Sequence, residues 1–122
     1  MRTEGLAGLD FCYLTTTGRV SGRRHEIEIW FALNDDVIYL LSGGRDRSDW
    51  VRNLIASPRV TVRLGEETRE VTARPITDSD EDALARRLLV EKYASRDPDD
   101  LTGWGRTALP IAIEWGAASN VV

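Results

Sequence analysis

Short alternating segments separated by tight turns constrain the fold of this chain more than any other feature of its sequence. Six segments are rich in β-branched and aromatic residues, and they predict strands at 11–17, 25–33, 37–42, 59–64, 68–76 and 109–115. Parallel neighbours would need crossover connections of about a dozen residues or more, so the spacing favours antiparallel pairing. The sequence therefore predicts a mainly β, α+β fold built on a six-stranded antiparallel barrel.

Two segments have helical periodicity. Ser48 is the expected N-cap of a short helix over 49–57. Asp78 and Glu81 have the spacing of a capping box at the start of a second helix, over about 79–95. The residues expected on the buried faces are Trp50, Leu54 and Ile55 in the first helix and Leu84, Ala85, Leu88, Leu89 and Tyr93 in the second.

The composition argues against several classes of protein. The formal net charge of −4 argues against nucleic acid as the main partner. No apolar run approaches the ~20 residues of a membrane helix, and the N-terminus does not resemble a signal peptide. The one cysteine, Cys12, excludes an intrachain disulfide and is typical of a buried thiol in a reducing compartment. These features predict a single cytoplasmic domain over 1–122 with no integral membrane segment.

The stretch 14–24 carries the strongest chemical signal in the chain. It joins a β-rich run to a turn with three arginines and no acidic residue. Gly18 and Gly22 allow positive φ and close backbone approach, so amide N–H groups can converge on a phosphate while guanidinium groups bind its oxygens. A solvated hairpin loop is the alternative interpretation of an isolated Gly-Arg turn.

His25 is the only histidine of the chain, and it stands at the start of a predicted strand. It shares its strand parity with Ile27 and Ile29, so its side chain can point into the barrel mouth. A lone histidine is more often a hydrogen-bonded rim residue than a catalytic group. It cannot build a metal site alone, and the acidic residues offer no ligand spacing, so no metal is expected.

Four sequence blocks occur in a fixed order along the chain. They are Thr15-Thr16-Thr17-Gly18-Arg19-x-Ser21-Gly22, Leu41-Ser42-Gly43-Gly44, Trp50-x-x-Asn53-Leu54-x-Ala56-x-Pro58-x-Val60 and Trp104-x-Arg106-Thr107-x-x-Pro110-Ile111. Together they resemble the deazaflavin-dependent nitroreductase family over roughly residues 9–116. The resemblance implies a split β-barrel related to the FMN-binding, pyridoxamine-phosphate-oxidase-like barrels, with two or three helices. It also implies a homodimer that binds the deazaflavin coenzyme F-420.

The resemblance assigns residues to the coenzyme by position. The phosphodiester and acidic tail would contact Arg19, Ser21, Gly22, Arg23 and Arg24, and His25 would be a further coenzyme-binding residue. The deazaflavin ring would lie against Leu41, Ser42, Gly43 and Gly44. The helix that closes the pocket would contribute Asp49, Trp50 and Asn53.

The sequence departs from the family pattern in three places. Val20 stands where family members commonly carry a lysine, so one cationic contact to the tail is missing. The Ser-Gly-Gly segment before the predicted helix over 49–57 is shorter than in the family, and Arg45 and Arg47 add charge there. Only about ten residues precede the first predicted strand, where the nitroreductase has a long extension that helps to wall its substrate pocket.

The resemblance implies hydride transfer from the reduced coenzyme to an electron-poor acceptor such as a quinone, an activated alkene or a nitroaromatic. Proton delivery is then the one acid-base task left to the protein, with Ser42, Tyr93 and His25 as candidate donors. Two alternatives stay open. One is an FMN-dependent split-barrel reductase, and the other is a noncatalytic barrel that binds a flavin, a lipid or haem.

Overall fold

A computed structural model describes residues 2–96 and 100–116, with the side chains of 2–4 excepted. Seven strands form one curled sheet in the order β2-β1-β5-β6-β7-β4-β3, and every pair is antiparallel, as the sequence predicted. The strands are β1 Cys12–Thr17, β2 Arg24–Ile29, β3 Ala32–Asn34, β4 Val37–Ser42, β5 Arg59–Leu64, β6 Glu67–Pro75 and β7 Leu109–Ile113.

The prediction of six strands was wrong in the segment 25–33. The single strand expected over 25–33 is two strands, β2 and β3, which lie at opposite edges of the sheet. Only Trp30 and Phe31 separate them, so the chain itself joins the two edges and the sheet must curl to allow it. The alternating pattern did not reveal the break between β2 and β3, because Ile29, Phe31 and Leu33 all pack on the same core.

Within residues 2–96 and 100–116, four α-helices cover the sheet: α1 Arg2–Ala7, α2 Asp49–Ala56, α3 Ser79–Ala94 and α4 Thr102–Thr107, with a 3₁₀ turn at Arg45–Arg47. The sequence predicted α2 and α3, and it missed α1 and α4. Both are six residues long, and α4 contains Gly103 and Gly105, so neither has strong helical propensity. Packing sustains α4: Gly105 lies so close to Val90 of α3 that a Cβ there would clash. Within the described ranges no helix is long and apolar enough to cross a membrane.

The core lies in two clusters on either side of the curled sheet. The larger fills the barrel beneath α2 and includes Cys12, which is fully buried as predicted, and the predicted inward residues of β5, Val60, Val62 and Leu64. The smaller lies under α3 and contains Ala85, Leu89 and Tyr93, with Leu84 and Leu88 half-buried against it.

Two details of the helices differ from the sequence prediction. Ile55 of α2 is 53% exposed, and Val51 is buried in its place, because Ile55 lies about 100° around the helix from Leu54. At α3 the Asp78 carboxylate accepts a bond from the Glu81 N–H at 2.8 Å, so the predicted N-cap is confirmed. The Glu81 side chain does not complete the capping box, because it pairs with Arg74 on the sheet.

Candidate functional site

The connection between β1 and β2, residues 18–23, is an ordered loop, here called the hairpin loop. The Gly18 N–H donates to the Arg23 carbonyl at 2.7 Å, and the Gly22 N–H donates to the Gly18 carbonyl at 2.9 Å. Gly22 has φ +75°, as expected for a glycine of this turn. Gly18 is needed for close approach instead, because a Cβ there would lie 2.8 Å from Ser21 Oγ and 2.9 Å from His25 Nε2.

Most backbone amides of the hairpin loop are already bonded within the protein. Besides the two glycine amides, the Arg19 N–H donates to Asn53 Oδ1 at 3.1 Å and the Arg23 N–H donates to Ser21 Oγ at 3.1 Å. In the described part of the chain, the Val20 and Ser21 N–H groups have no protein acceptor. The expected convergence of loop amides on an anion is therefore limited to these two donors.

Arg19 ties the hairpin loop to α2. Its Nη1 donates to Asn53 Oδ1 at 2.9 Å, and its Nη2 lies 3.3 Å from Asp49 Oδ1. Asn53 is 3% exposed, and its Nδ2 also donates to Thr16 Oγ1 of β1 at 3.2 Å. The loop thus has a fixed position relative to α2, and the Arg19 guanidinium is partly committed before any ligand binds.

A cavity of about 450 Å³, here called the loop pocket, lies between the hairpin loop, β2 and α2. The predicted site residues that line it are Arg19, Ser21, His25, Asp49, Trp50 and Asn53. Gly18, Val20, Glu26 and Ile27 complete the lining. Two segments that are distant in sequence, the β1–β2 connection with the start of β2 and the start of α2, therefore supply one pocket.

Glu26 and Ile27 are lining residues that the sequence reasoning missed. Ile27 shares its strand parity with His25, and that signal pointed to it. Glu26 has the opposite parity, so alternation alone gave no indication of it. With Glu26 and Asp49 present, the loop pocket contains two carboxylates and one guanidinium.

Three of the predicted tail contacts, Gly22, Arg23 and Arg24, lie outside the loop pocket. Arg23 is exposed, and none of the described residues forms a hydrogen bond or ion pair with its guanidinium. Arg24 lies on β2, where its Nη2 donates to Thr61 Oγ1 at 2.7 Å. Both cations remain close in sequence to the pocket, but neither lines it.

The predicted ring-binding segment lines a second cavity. Gly43, Gly44 and the 3₁₀ turn Arg45–Arg47 enclose about 430 Å³, here called the arginine-turn cavity. Ser42 is 2% exposed; its Oγ donates to the Arg45 carbonyl at 3.0 Å and lies 2.9 Å from Ser48 Oγ. This second contact ties the end of β4 to the start of α2, and it replaces the side-chain cap expected from Ser48.

Arg45 has an unusual backbone for its residue type. Its φ is +56°, in the left-handed region that favours glycine, and its Nη1 donates to the Thr107 carbonyl at the end of α4. Arg47 makes no side-chain hydrogen bond or ion pair with any described residue. The arginine-turn cavity therefore has two cations against one carboxylate, that of Asp46.

Leu41 lines a third, apolar cavity of about 390 Å³, here called the aromatic cavity. Its other lining residues are Phe11, Glu28, Ile29, Trp30, Leu101 and Trp104. Trp30 stacks on Tyr93 with ring centroids 4.2 Å apart, and its edge meets Trp104 at 5.6 Å. The predicted ring residues are therefore divided, with Leu41 in a different cavity from Gly43 and Gly44.

The candidate proton donors occupy very different environments. His25 is exposed and lines the loop pocket, as expected of a rim residue. The Tyr93 hydroxyl is buried and accepts from the Phe31 N–H at 3.0 Å, with the Asp10 carbonyl 2.7 Å away. Burial raises the pKa of Tyr93 to about 12. Tyr93 lines none of the three cavities, and its hydroxyl is hydrogen-bonded to the backbone of Phe31 and Asp10.

The antiparallel sheet is curled, and the hairpin loop lies against α2. Together these features define a split-barrel fold of the α+β class. Residues 2–115 match the sequence model of the family described as F420H(2)-dependent quinone reductase. The chain therefore belongs to this family, and it is a deazaflavin-dependent oxidoreductase whose cofactor is coenzyme F-420.

Solved structures support the fold assignment. An F420-H2 dependent reductase is 24% identical with a TM-score of 0.68, and the match covers 86% of this chain and 94% of that one. A protein described as a domain-swapped dimer is 25% identical with a TM-score of 0.63, covering 85% and 78%. The haem storage protein HutZ from Vibrio cholerae is 15% identical with a TM-score of 0.68, covering 93% and 87%. At these identities the likeness to the first and third structures is one of fold.

The side chains present fit a coenzyme with a flat ring and an anionic tail. The loop pocket offers free amides at Val20 and Ser21 and an aromatic wall at Trp50. A Cβ at Gly43 would meet only Trp104, at 3.8 Å, so bare backbone faces the arginine-turn cavity there. Arginine side chains and free amide N–H groups can bind an anionic tail, and residues without side chains leave room for a flat ring.

Proposed function

We propose that the loop pocket holds the anionic part of coenzyme F-420 and that the chain reduces a small electron-poor acceptor of the quinone, activated alkene or nitroaromatic type. The observation that carries the proposal is the assembly of six predicted site residues, from two segments that are far apart in sequence, in one pocket. When bound, the reduced coenzyme supplies a hydride to the acceptor. The protein binds and orients both molecules and excludes water between them.

The anionic tail is assigned to the hairpin loop. Arg19, Val20 and Ser21 line the loop pocket, the N–H groups of Val20 and Ser21 have no acceptor among the described residues, and Arg23 follows them in the same loop. Arg47 is a second uncommitted cation, next to the cavity lined by Gly43 and Gly44. Charged hydrogen bonds to such groups are stronger than neutral ones, so these side chains supply most of the tail's affinity.

The ring is assigned to the bare backbone at Gly43 and Gly44, where α2 begins. The Ser42–Ser48 contact brings that segment against α2, whose Trp50 forms the wall of the neighbouring loop pocket. His25 is the proton donor we favour, because it is exposed at the loop pocket. The Ser42 hydroxyl is a weaker candidate, since it already donates to the Arg45 carbonyl.

We further propose a cytoplasmic homodimer. The domain-swapped dimer among the solved structures supports the assembly. The fully buried thiol of Cys12, the only cysteine, suits a reducing compartment.

Cofactor titration tests the proposal. Coenzyme F-420, FMN and haem are titrated separately into the purified protein while tryptophan fluorescence is followed, and reduced coenzyme is then supplied with menadione as the quinone. We expect saturable binding of F-420, weak or no binding of FMN and haem, and turnover with menadione. Tight FMN binding alone would instead support a flavin reductase, and ligand binding without turnover would support a storage or carrier barrel.

An arginine variant with a matched control tests the placement of the tail. Arg19→Gln is expected to raise the dissociation constant of F-420 by about ten- to a hundredfold, because it removes one charged hydrogen bond. Arg59→Gln carries the same charge change on β5, where its exposed partner Glu70 is 3.8 Å away, and it is expected to bind normally. Equal affinities of the two variants would contradict the assignment of the tail to the loop pocket.

A further inference from the structure

Asp49 places a negative charge in a pocket that we assign to an anionic ligand. Its carboxylate lines the loop pocket, its side chain is 86% exposed, and it lies 3.3 Å from Arg19 Nη2. Glu26 adds a second carboxylate to the lining, so two carboxylates share the pocket with one guanidinium. Asp49 was predicted from the family resemblance to contact the coenzyme, yet it is itself an anion bound to the arginine.

The two sides of the Arg19 guanidinium differ in how firmly they are held. Nη1 donates at 2.9 Å to Asn53, a buried side chain that is fixed by a further bond to Thr16. Nη2 faces Asp49 at a longer 3.3 Å, and that carboxylate is largely in water. Exposed ion pairs of this kind contribute little free energy, so the Asp49 contact is the one that a ligand can replace.

We propose that Asp49 is a built-in competitor that occupies Arg19 Nη2 and that an anionic ligand must displace. This inference rests on the proposed function, in that it takes the loop pocket as the site of the coenzyme's anionic part. A bound phosphodiester or carboxylate displaces Asp49 from Nη2, while Asn53 keeps Nη1 in place. The displacement of Asp49 weakens binding of the ligand, and repulsion between the ligand and the displaced carboxylate weakens it further.

The competition selects for ligands with additional contacts. Inorganic phosphate has only the arginine and the two free amides to offset the displacement of Asp49. A coenzyme whose flat ring also packs against Gly43 and Gly44 offsets it more easily. The penalty is common to both ligands and leaves the ratio of their affinities unchanged, but it keeps weakly held free phosphate out of the site at concentrations where the coenzyme still binds.

The test compares two aspartate variants that change net charge equally. Asp49→Asn keeps the shape of the side chain and removes its charge. Asp80→Asn is the matched control, because Asp80 is an exposed acid in the first turn of α3 and has no cation partner among the described residues. Both variants lose a similar favourable interaction with their helix dipole. Asp49→Ser serves as a second variant at the site.

The measured quantities are dissociation constants for F-420 and, separately, for inorganic phosphate. Asp49→Asn and Asp49→Ser are expected to bind both ligands more tightly than the wild type, by about five- to tenfold for phosphate at low ionic strength. The gain should shrink in about 1 M salt, where the screening length is about 3 Å. Asp80→Asn is expected to bind both ligands as the wild type does.

Weaker binding of F-420 by Asp49→Asn would overturn the proposal and make Asp49 a ligand contact. Affinities equal to those of Asp80→Asn would overturn it as well. Arg19→Gln separates this failure from failure of the proposed function: if it leaves F-420 binding intact, the anionic part lies elsewhere. If Arg19→Gln weakens binding and Asp49→Asn gives no gain, only the competition is wrong. In the Arg19→Gln background the gain from Asp49→Asn should fall, because the competition acts through Arg19.

Discussion

Asn53 holds the hairpin loop in place, and its removal is the most informative perturbation of the fold and the site together. Its side chain accepts from the Arg19 N–H at 3.1 Å and from Arg19 Nη1 at 2.9 Å, and it donates to Thr16 Oγ1 at 3.2 Å. Asn53→Ala deletes all three bonds in one step. Asn53 is 3% exposed and Thr16 is 1% exposed, so water cannot easily replace the lost partner at Thr16.

The cost can be worked from the individual bonds. Each neutral bond contributes about 1 kcal/mol, and the bond to the guanidinium contributes about 1 kcal/mol once its partial exposure is discounted. We therefore expect Asn53→Ala to lower the free energy of unfolding by about 3 kcal/mol in urea denaturation. We also expect it to weaken F-420 binding about tenfold, because the loop and Arg19 lose their anchor.

Asn53→Asp is the matched control. A carboxylate can still accept from both Arg19 groups, and the Thr16 hydroxyl can rotate to donate to it. This variant should recover most of the stability lost in Asn53→Ala, while its added negative charge beside Arg19 opposes binding of the anionic ligand. A stability loss below about 1 kcal/mol in Asn53→Ala, or a loss of stability with unchanged F-420 affinity, would refute the reasoning.

Three further expectations concern the loop and the core. Arg74, which bonds to Glu81 at 2.8 and 2.9 Å, holds the pKa of the Glu81 carboxyl below its usual 4.5. The ion pair thus stabilises the fold above that pH, and its contribution is lost as the pH falls through the lowered pKa. In urea melts Glu81→Gln should be less stable than the wild type near pH 7. A difference in stability that persists in strong acid would exclude the ion pair as its cause. Gly18→Ala should lose about 1–3 kcal/mol of stability, because its Cβ would lie 2.8 Å from Ser21 Oγ; Gly5→Ala, where a Cβ meets nothing within 4 Å, is the control, and equal stabilities would mean that the loop adjusts freely. Tyr93→Phe leaves the Phe31 N–H without its 3.0 Å acceptor and should cost about 1–3 kcal/mol in the same assay; a fall in kcat of about a hundredfold or more would instead restore Tyr93 as a proton donor.

Local sequence signals were reliable wherever neighbouring residues decide the structure. The alternation of Val60, Val62 and Leu64, the cap at Asp78 and the positive φ of Gly22 all follow from short-range sterics and hydrogen bonding, and all three are present. The break between β2 and β3 was not predictable from alternation, because the residues on both sides bury the same face. The short helix α4 was missed because packing sustains it and propensity does not.

The sequence by itself determined the antiparallel sheet, the glycine-arginine turn and the motifs that identify a deazaflavin-dependent oxidoreductase. These depend on period, turn chemistry and residue order, which are written along the chain. Only the tertiary structure decided how the charged groups pair: Arg19 is clasped by Asn53 and Asp49, which lie 34 and 30 residues away along the chain. Whether an arginine is free to bind a ligand depends on which side chains the fold brings within a few ångströms of it, and no local pattern encodes that distance.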